Sequence, residues 1–295
     1  MGKKIALTLS LCILVFAAGA GFYFYKSRRV PVAFDNSSRP SEPSSRANPS
    51  EPPATSPASG VTAKSPVPSS AAPSFVPRAG ESLEFAANVP KLNSTIANLK
   101  LLVGAKQSFG DKNAWHFQAF AHTENPYRMI FELDDQFDSY SDAGNGMTSL
   151  QYEMHLSERG EKVDSVQRML PSSRDPAPAD ASAARVLPGT RDPLGLLQYL
   201  RGVDWSKTPE VRSPVYDGRK LYDVRALQAA KSVSVSVPAG NFTAEKIEIH
   251  VFDNGTEMKD AHFLLYLTND SARTPVLMEA VLPVATARVE LTKLK

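Results

Sequence analysis

The chain is poor in the residues that do covalent chemistry. Its 295 residues include one cysteine, Cys12, inside the apolar N-terminal stretch. The remainder therefore has no thiol nucleophile, no disulfide and no cysteine-based metal site. An excess of charge is missing too: 33 Lys and Arg face 31 Asp and Glu, for a net charge of +2. Without a basic field, nothing argues for a nucleic-acid partner. Catalytic signatures are also absent, since no Walker loop, GxSxG elbow, HExxH helix or EF-hand loop occurs. No cofactor is expected.

The five histidines do not compose a metal site at this level. His116 and His122 share strand parity but stand six residues apart, about 20 Å if extended. His155, His250 and His262 each stand alone in a strand-like segment, so no metal is expected. Asp134 and Asp135 are neighbours, and neighbours on a strand point to opposite faces, which favours a turn or exposed edge over a carboxylate pair.

What is present divides the chain into three domains. Residues 1–29 hold an uncharged, mostly apolar run from Ile5 to Tyr25, preceded by Lys3 and Lys4 and followed by Lys26, Arg28 and Arg29. Roughly 20 helical residues cross a hydrocarbon core of about 30 Å, so the run reads as a single-pass membrane anchor or uncleaved signal. The aromatics at 22–25 suit an interfacial belt. Cleavage after Ala20 is the alternative, because 18–20 reads Ala-Gly-Ala. Positive charge is nearly balanced across the run and does not orient it; its resemblance to an export signal places the N-terminus inside. Residues 30–78 carry eleven of the 23 prolines, many serines and alanines, and almost no large apolar side chains. Such a composition cannot bury enough surface to offset its ordering entropy and reads as a disordered, extended tether.

Residues 79–295 carry the folding information as alternation of period two. The valines of SVSVSV (232–237) share a face, as do Ile247, Ile249 and Val251, and Tyr127, Met129, Phe131 and Leu133. Turn signals separate the runs at Arg159-Gly160, Asp217-Gly218, Gly240-Asn241 and Asn254-Gly255. One helix is predicted, with Asp192 as N-cap, Pro193 in its first turn and a stripe of Leu194, Leu197 and Leu200. Residues 170–189 read as a long loop before it. The expected fold is mainly β, a strongly curved antiparallel sheet or open barrel with one inserted helix.

The segment HFLLYLTNDSARTPVLMEAVL, 262–282, sets two apolar runs around a polar insert. In its first run Phe263, Leu265 and Leu267 oppose Leu264 and Tyr266. In the second, Val276, Met278 and Leu282 oppose Leu277 and Val281. Strands apolar on both faces need cover on both, which one helix provides only in part. Phe263, Leu265, Tyr266, Leu267, Leu277, Met278 and Val281 are therefore candidates to line a ligand cavity, with a packed core as the alternative. Asp270 and Arg273 read as a loop-shaping pair, an ion pair or turn cap, since nothing nucleophilic accompanies them.

Five blocks in order resemble an uncharacterised family of exported bacterial proteins, the domain of unknown function 3108 family. They are GESLEF (80–85), DPLGLLQYLR (192–201), YDGRKLYDV (216–224), VPAGNFTAEKIEI (237–249) and the 262–282 segment, where Asp270, Arg273 and Pro275 match the family's acid, base and proline. Tyr266 stands where the family typically has Trp. The resemblance implies export and no established activity. The closing pattern is also similar, at the level of fold, to periplasmic lipoprotein carriers, in which a curved sheet holds an acyl chain.

These features predict a non-enzymatic, membrane-tethered domain in the periplasm or cell envelope, anchored in a bacterial inner membrane. The first expectation is that it binds a lipid or other apolar ligand inside a curved sheet. A scaffold that binds an envelope protein through its surface is the alternative, and a hydrolase using Asp270, Arg273 or a strand histidine the third reading.

Overall fold

A computed structural model describes residues 75–90, 94–171, 183–281 and 286–295. The N-terminal run and nearly all of the tether lie outside these residues. No described helix is long and apolar enough to cross a membrane.

The first half of the domain supplies β1 (Ser82–Val89), β2 (Ser94–Phe109), β3 (Lys112–Thr123), β4 (Asp134–Asp142), β5 (Ser149–Glu158), β6 (Glu161–Pro171) and β7 (Ala183–Val186). Helix α1 (Pro193–Gly202) follows. The second half supplies β8 (Glu210–Tyr216), β9 (Leu221–Val237), β10 (Gly240–Asp253), β11 (Thr256–Thr268), β12 (Pro275–Val281) and β13 (Thr286–Leu294). All thirteen strands form one sheet in the order β7-β6-β5-β4-β3-β2-β1-β13-β12-β11-β10-β9-β8. Two meanders thus meet where β1 pairs with β13. Every pairing is antiparallel except β6 with β7.

The longest strands, β2, β9 and β10, would overrun a flat sheet. Register shifts break β2 between Val103 and Lys106 and β10 at three places between Ala244 and Phe252. Such irregularities bend a strand and increase its twist. The sheet curls until its ends nearly meet. Arg191 and Val215 form a parallel bridge, the Arg191 N–H donating to Pro214 O (3.0 Å) and the Tyr216 N–H to Arg191 O (2.8 Å). The Tyr216 hydroxyl on β8 also donates to Gln167 on β6. The product is a nearly closed barrel. At one end the β9–β10 turn reaches across, where the Ala239 N–H donates to Leu291 O of β13 (2.9 Å).

Helix α1 plugs the barrel. Its N-cap is Asp192, whose Oδ1 accepts from the N–H groups of Leu194 and Gly195, both at 2.9 Å. The leucine stripe is there, but all ten helical residues are buried, because the barrel wall surrounds the helix. Inward side chains of the strands and the helix form one contiguous apolar cluster, from Leu83 and Phe85 through Trp205 to Leu291. Trp205 is fully buried and donates from its indole nitrogen to Leu200 O (3.2 Å).

Two sequence expectations are corrected. Tyr127, Met129, Phe131 and Leu133 do not share a strand. Asn125-Pro126 ends the β3 ladder, Tyr127–Met129 form a 3-10 turn, and Met129 and Ile130 lie exposed. The loop expected over 170–189 contains β7, four residues whose backbone pairs with β6 although their composition gives no strand pattern. Of that segment, residues 172–182 lie outside the described ones.

Candidate functional site

The insert between β11 and β12 is a built loop. Asp270 Oδ1 accepts from the N–H groups of Ala272 and Arg273 (both 3.0 Å) and from the Thr268 hydroxyl (2.7 Å), an Asx-type cap. Thr268 and Thr274 close its base, each receiving the other's N–H, at 2.9 Å on a carbonyl and 2.8 Å on a hydroxyl. Arg273 takes a positive φ of 43° and pairs with Glu245 on β10 (3.0 Å), not with Asp270. Of the two sequence readings, the turn cap is the geometry found.

This loop is held from inside the barrel by Arg201, at the C-terminal end of α1. Nη1 and Nη2 grip Glu81 bidentately, at 2.8 and 2.7 Å. Nη1 also reaches Gln198 Oε1 (3.0 Å), Nη2 the carbonyl of Ala272 (2.9 Å) and Nε that of Arg273 (3.1 Å). All five donors of the guanidinium are used. The Phe75 ring covers it at 4.2 Å, and the Arg201 and Glu81 side chains are 1% and 5% exposed. Three of the sequence blocks meet here: Glu81 from GESLEF, Arg201 from DPLGLLQYLR, and the polar insert.

A second polar knot lies at the other end of α1. Asp192 Oδ2 accepts from the Ser139 hydroxyl (2.6 Å) and from Ser149, and the Ser149 hydroxyl receives the Asp192 N–H (2.6 Å). Burial raises the Asp192 carboxyl despite these four donors. Gly195 is required beneath it, because a Cβ there would stand 2.8 Å from Ser141 Oγ and 3.0 Å from Met147 O. Arg191 donates to Gly146 O (2.8 Å), Gly189 O (3.1 Å) and Ser213 Oγ (2.9 Å), and lies over the Tyr199 ring at 3.6 Å. Burial lowers its guanidinium to about 10.

Two further buried carboxylates were not foreseen. Asp134 and Asp135 do point to opposite faces, but Asp135 points inward and is 3% exposed. Its Oδ1 accepts the Ser157 N–H (2.9 Å), while Oδ2 has no hydrogen-bond partner among the described residues. Burial pushes this carboxyl up to about 7, against the Ser157 bond and with help from the neighbouring charges of Glu158 and Asp134. Asp217 Oδ1 caps the β8–β9 turn through the N–H groups of Arg219 and Lys220 (both 2.8 Å), and its Oδ2 is likewise buried without a hydrogen-bond partner among the described residues. Burial raises it too. Asp217 fixes a turn, and Asp135 holds the backbone of the neighbouring β5.

The seven apolar candidates divide between two faces. Leu265 lies opposite Met278 on the inner face, with Phe263 and Leu267, and all four are buried within the core cluster. Tyr266 lies opposite Leu277 on the outer face, and Val281, opposite His262, is the exposed end of β12. The outer face has its own cover. The Tyr266 hydroxyl donates to Glu279 (2.9 Å), and Arg288 reaches Glu279 (3.0 Å) and Glu290 (2.9 Å). Glu279 is opposite Leu264 and Glu290 opposite Leu277; both leucines are buried, and Leu277 belongs to the core cluster, with Tyr266 packed against it. Asn88, Arg288 and Glu290 also line an open surface groove of about 480 Å³ with Val89, Pro90, Ser94 and Thr95.

The histidines are not isolated. His116 holds Asp138 (2.7 Å) and His155 holds Asp164 (2.7 Å). His250 and His262 stand directly opposite each other on β10 and β11. That register is invisible in the linear sequence, because hairpin pairing depends on the turn and on the shift after His250.

Fold and interior together define a mainly β, nearly closed barrel plugged by helix α1 and braced by buried charge at both helix ends. The family model described as "Protein of unknown function (DUF3108)" matches residues 94–292, and the chain belongs to that family. Four of the five blocks lie within the match, and GESLEF on β1 precedes it. No curated protein matches the chain. Among solved structures, a β-barrel-like protein of the domain of unknown function DUF1849 from Brucella abortus aligns over 74% of this chain and 97% of its own, at 12% identity and a TM-score of 0.49. A protein with YmcC-like fold from Bacteroides fragilis aligns over 76% and 100%, at 11% identity and a TM-score of 0.36.

Proposed function

We propose that the chain is a non-enzymatic cell-envelope protein, tethered to a membrane by its N-terminal run, whose barrel works through its outer surface and not through a ligand held inside. The observation that carries this reading is the occupied interior. Among the described residues the inward apolar side chains form one cluster around a fully buried helix, and the polar groups at both helix ends are spent on internal bonds. An acyl chain would have to displace α1 or its packing. The tether is the second support, since a proline-rich segment of this length gives reach.

Native mass spectrometry of the full chain, extracted gently from membranes, tests the reading. The expected spectrum shows protein without a bound acyl species, and a fluorescent fatty acid gives no saturable binding. A stoichiometric apolar ligand would restore the lipid-carrier reading. Photo-crosslinking from the outer-face network, at position 279 or 288, is expected to capture an envelope protein.

A further inference from the structure

We propose that Glu248, His250 and His262 form a binding site for a divalent cation of the zinc class on the outer face of the β10–β11 hairpin. Residues two apart on a strand share a face, and the residue directly opposite completes a triangle across the ladder. Here Glu248 and His250 are the strand pair and His262 the opposite residue. One ligand atom from each lies within 4.8 Å of the other two. Zinc bonds of about 2.0–2.1 Å place tetrahedral donors roughly 3.4 Å apart, so each atom need move by less than about 1 Å.

The surroundings suit a cation. Glu257 Oε1 accepts from His250 Nδ1 at 2.7 Å and so orients the ring, leaving Nε2 turned toward Glu248 Oε2 at 3.9 Å. A carboxylate behind a ligating imidazole is the usual outer support of a zinc site. His262 Nε2 is buried with no hydrogen-bond partner among the described residues, a vacancy in bonding that a metal would fill. Arg225, opposite His250 on β9, is the nearest cation by register, and it is turned to Glu210, at 2.7 and 2.8 Å. Two carboxylates, Glu248 and Glu257, balance a double positive charge. Three protein ligands leave one position open to water or to a partner's side chain.

The other such group among the described residues, Asp138, Glu153 and His155, is less suited. Asp138 is already engaged by His116 (2.7 Å), Gln118 (2.8 Å) and Gln136 (2.7 Å), so its carboxylate would have to give up these bonds to hold a cation.

Calorimetric titration of the untagged full chain with Zn²⁺ after chelator treatment tests the site, with visible absorption of Co²⁺ as a second probe. The expected result is a single equivalent bound near neutral pH. His250→Gln, His262→Gln and Glu248→Gln should each lose at least roughly tenfold in affinity, and Glu257→Gln roughly tenfold through ring orientation. His155→Gln should stay within about twofold. Zn²⁺ should raise the Tm of the parent chain and not of the His250 and His262 variants; if His262→Gln fails to fold, the two strand-pair variants on β10 decide. Absence of saturable binding in the parent chain, or unchanged affinity in His250→Gln and Glu248→Gln, overturns the proposal.

Discussion

At the scale of single residues, the parity of a strand tells which neighbour turns inward only once the strand's place in the sheet is known. Asp134 and Asp135 illustrate this. Their opposite orientation was readable from the period of two, but Asp135 faces a filled interior because β4 lies between β3 and β5 there. Its carboxyl is raised by burial to about 7, so the folded state binds this proton more tightly than the unfolded chain does. Below about pH 4 both states are protonated and the contribution is fully present. As pH rises toward 7 it is lost, so stability should fall with rising pH across that window, by at most about 1.4 kcal/mol per unit for this one proton. Asp192, Asp217 and Glu158, raised in the same direction by burial, add to the slope. Asp135→Asn keeps an acceptor for the Ser157 N–H and removes the titration. Urea denaturation at pH 5 and pH 8 should give a smaller difference for the variant than for the parent, and an equal difference would refute the assignment.

At the scale of elements, α1 was the most legible part of the fold. Asp-Pro at its start and leucines at helical spacing are local signals, and the helix occupies the residues that they mark. What locality could not tell is that Arg201, at the end of that pattern, is not a solvent-exposed terminal cation. Its partners Glu81 and the Ala272 and Arg273 carbonyls lie 120, 71 and 72 positions away in the chain. Removing one member of a buried pair leaves the other charge uncompensated, at a cost of about 3–5 kcal/mol. Arg201→Met should show that loss in chemical denaturation, and adding Glu81→Leu should recover part of it. A double variant no better than the single would mean that the carbonyl bonds, and not the buried carboxylate, dominate. The same clamp explains the polar insert. Asp270 caps the loop from within, and Arg201 holds it from the barrel interior.

At the scale of the whole molecule, Phe75 covers Arg201 where the described domain begins, and the composition before it gives no core-forming pattern. A chain lacking residues 1–74 should therefore keep the stability of the parent barrel to within about 1 kcal/mol, whereas one lacking residues 1–81 also loses Glu81 and should fall by about 3–5 kcal/mol. Thermal melts of the two truncated chains check this, and equal loss in both would show that the tether contributes to the fold. Local patterns were enough for the antiparallel β class, for helix α1 with its cap, for the hairpin turns at Arg159-Gly160 and Asn254-Gly255, and for the family. Those are written in periods of two and 3.6 and in residues able to adopt positive φ, which act within a few positions. The near-closure of the barrel, the occupation of its interior by α1, the convergence of Glu81, Arg201 and the insert, and the facing of His250 by His262 could not be read from local pattern. Each of these depends on contacts between distant segments, set by sheet curvature, by register shifts and by the pairing of the buried Arg201 with Glu81.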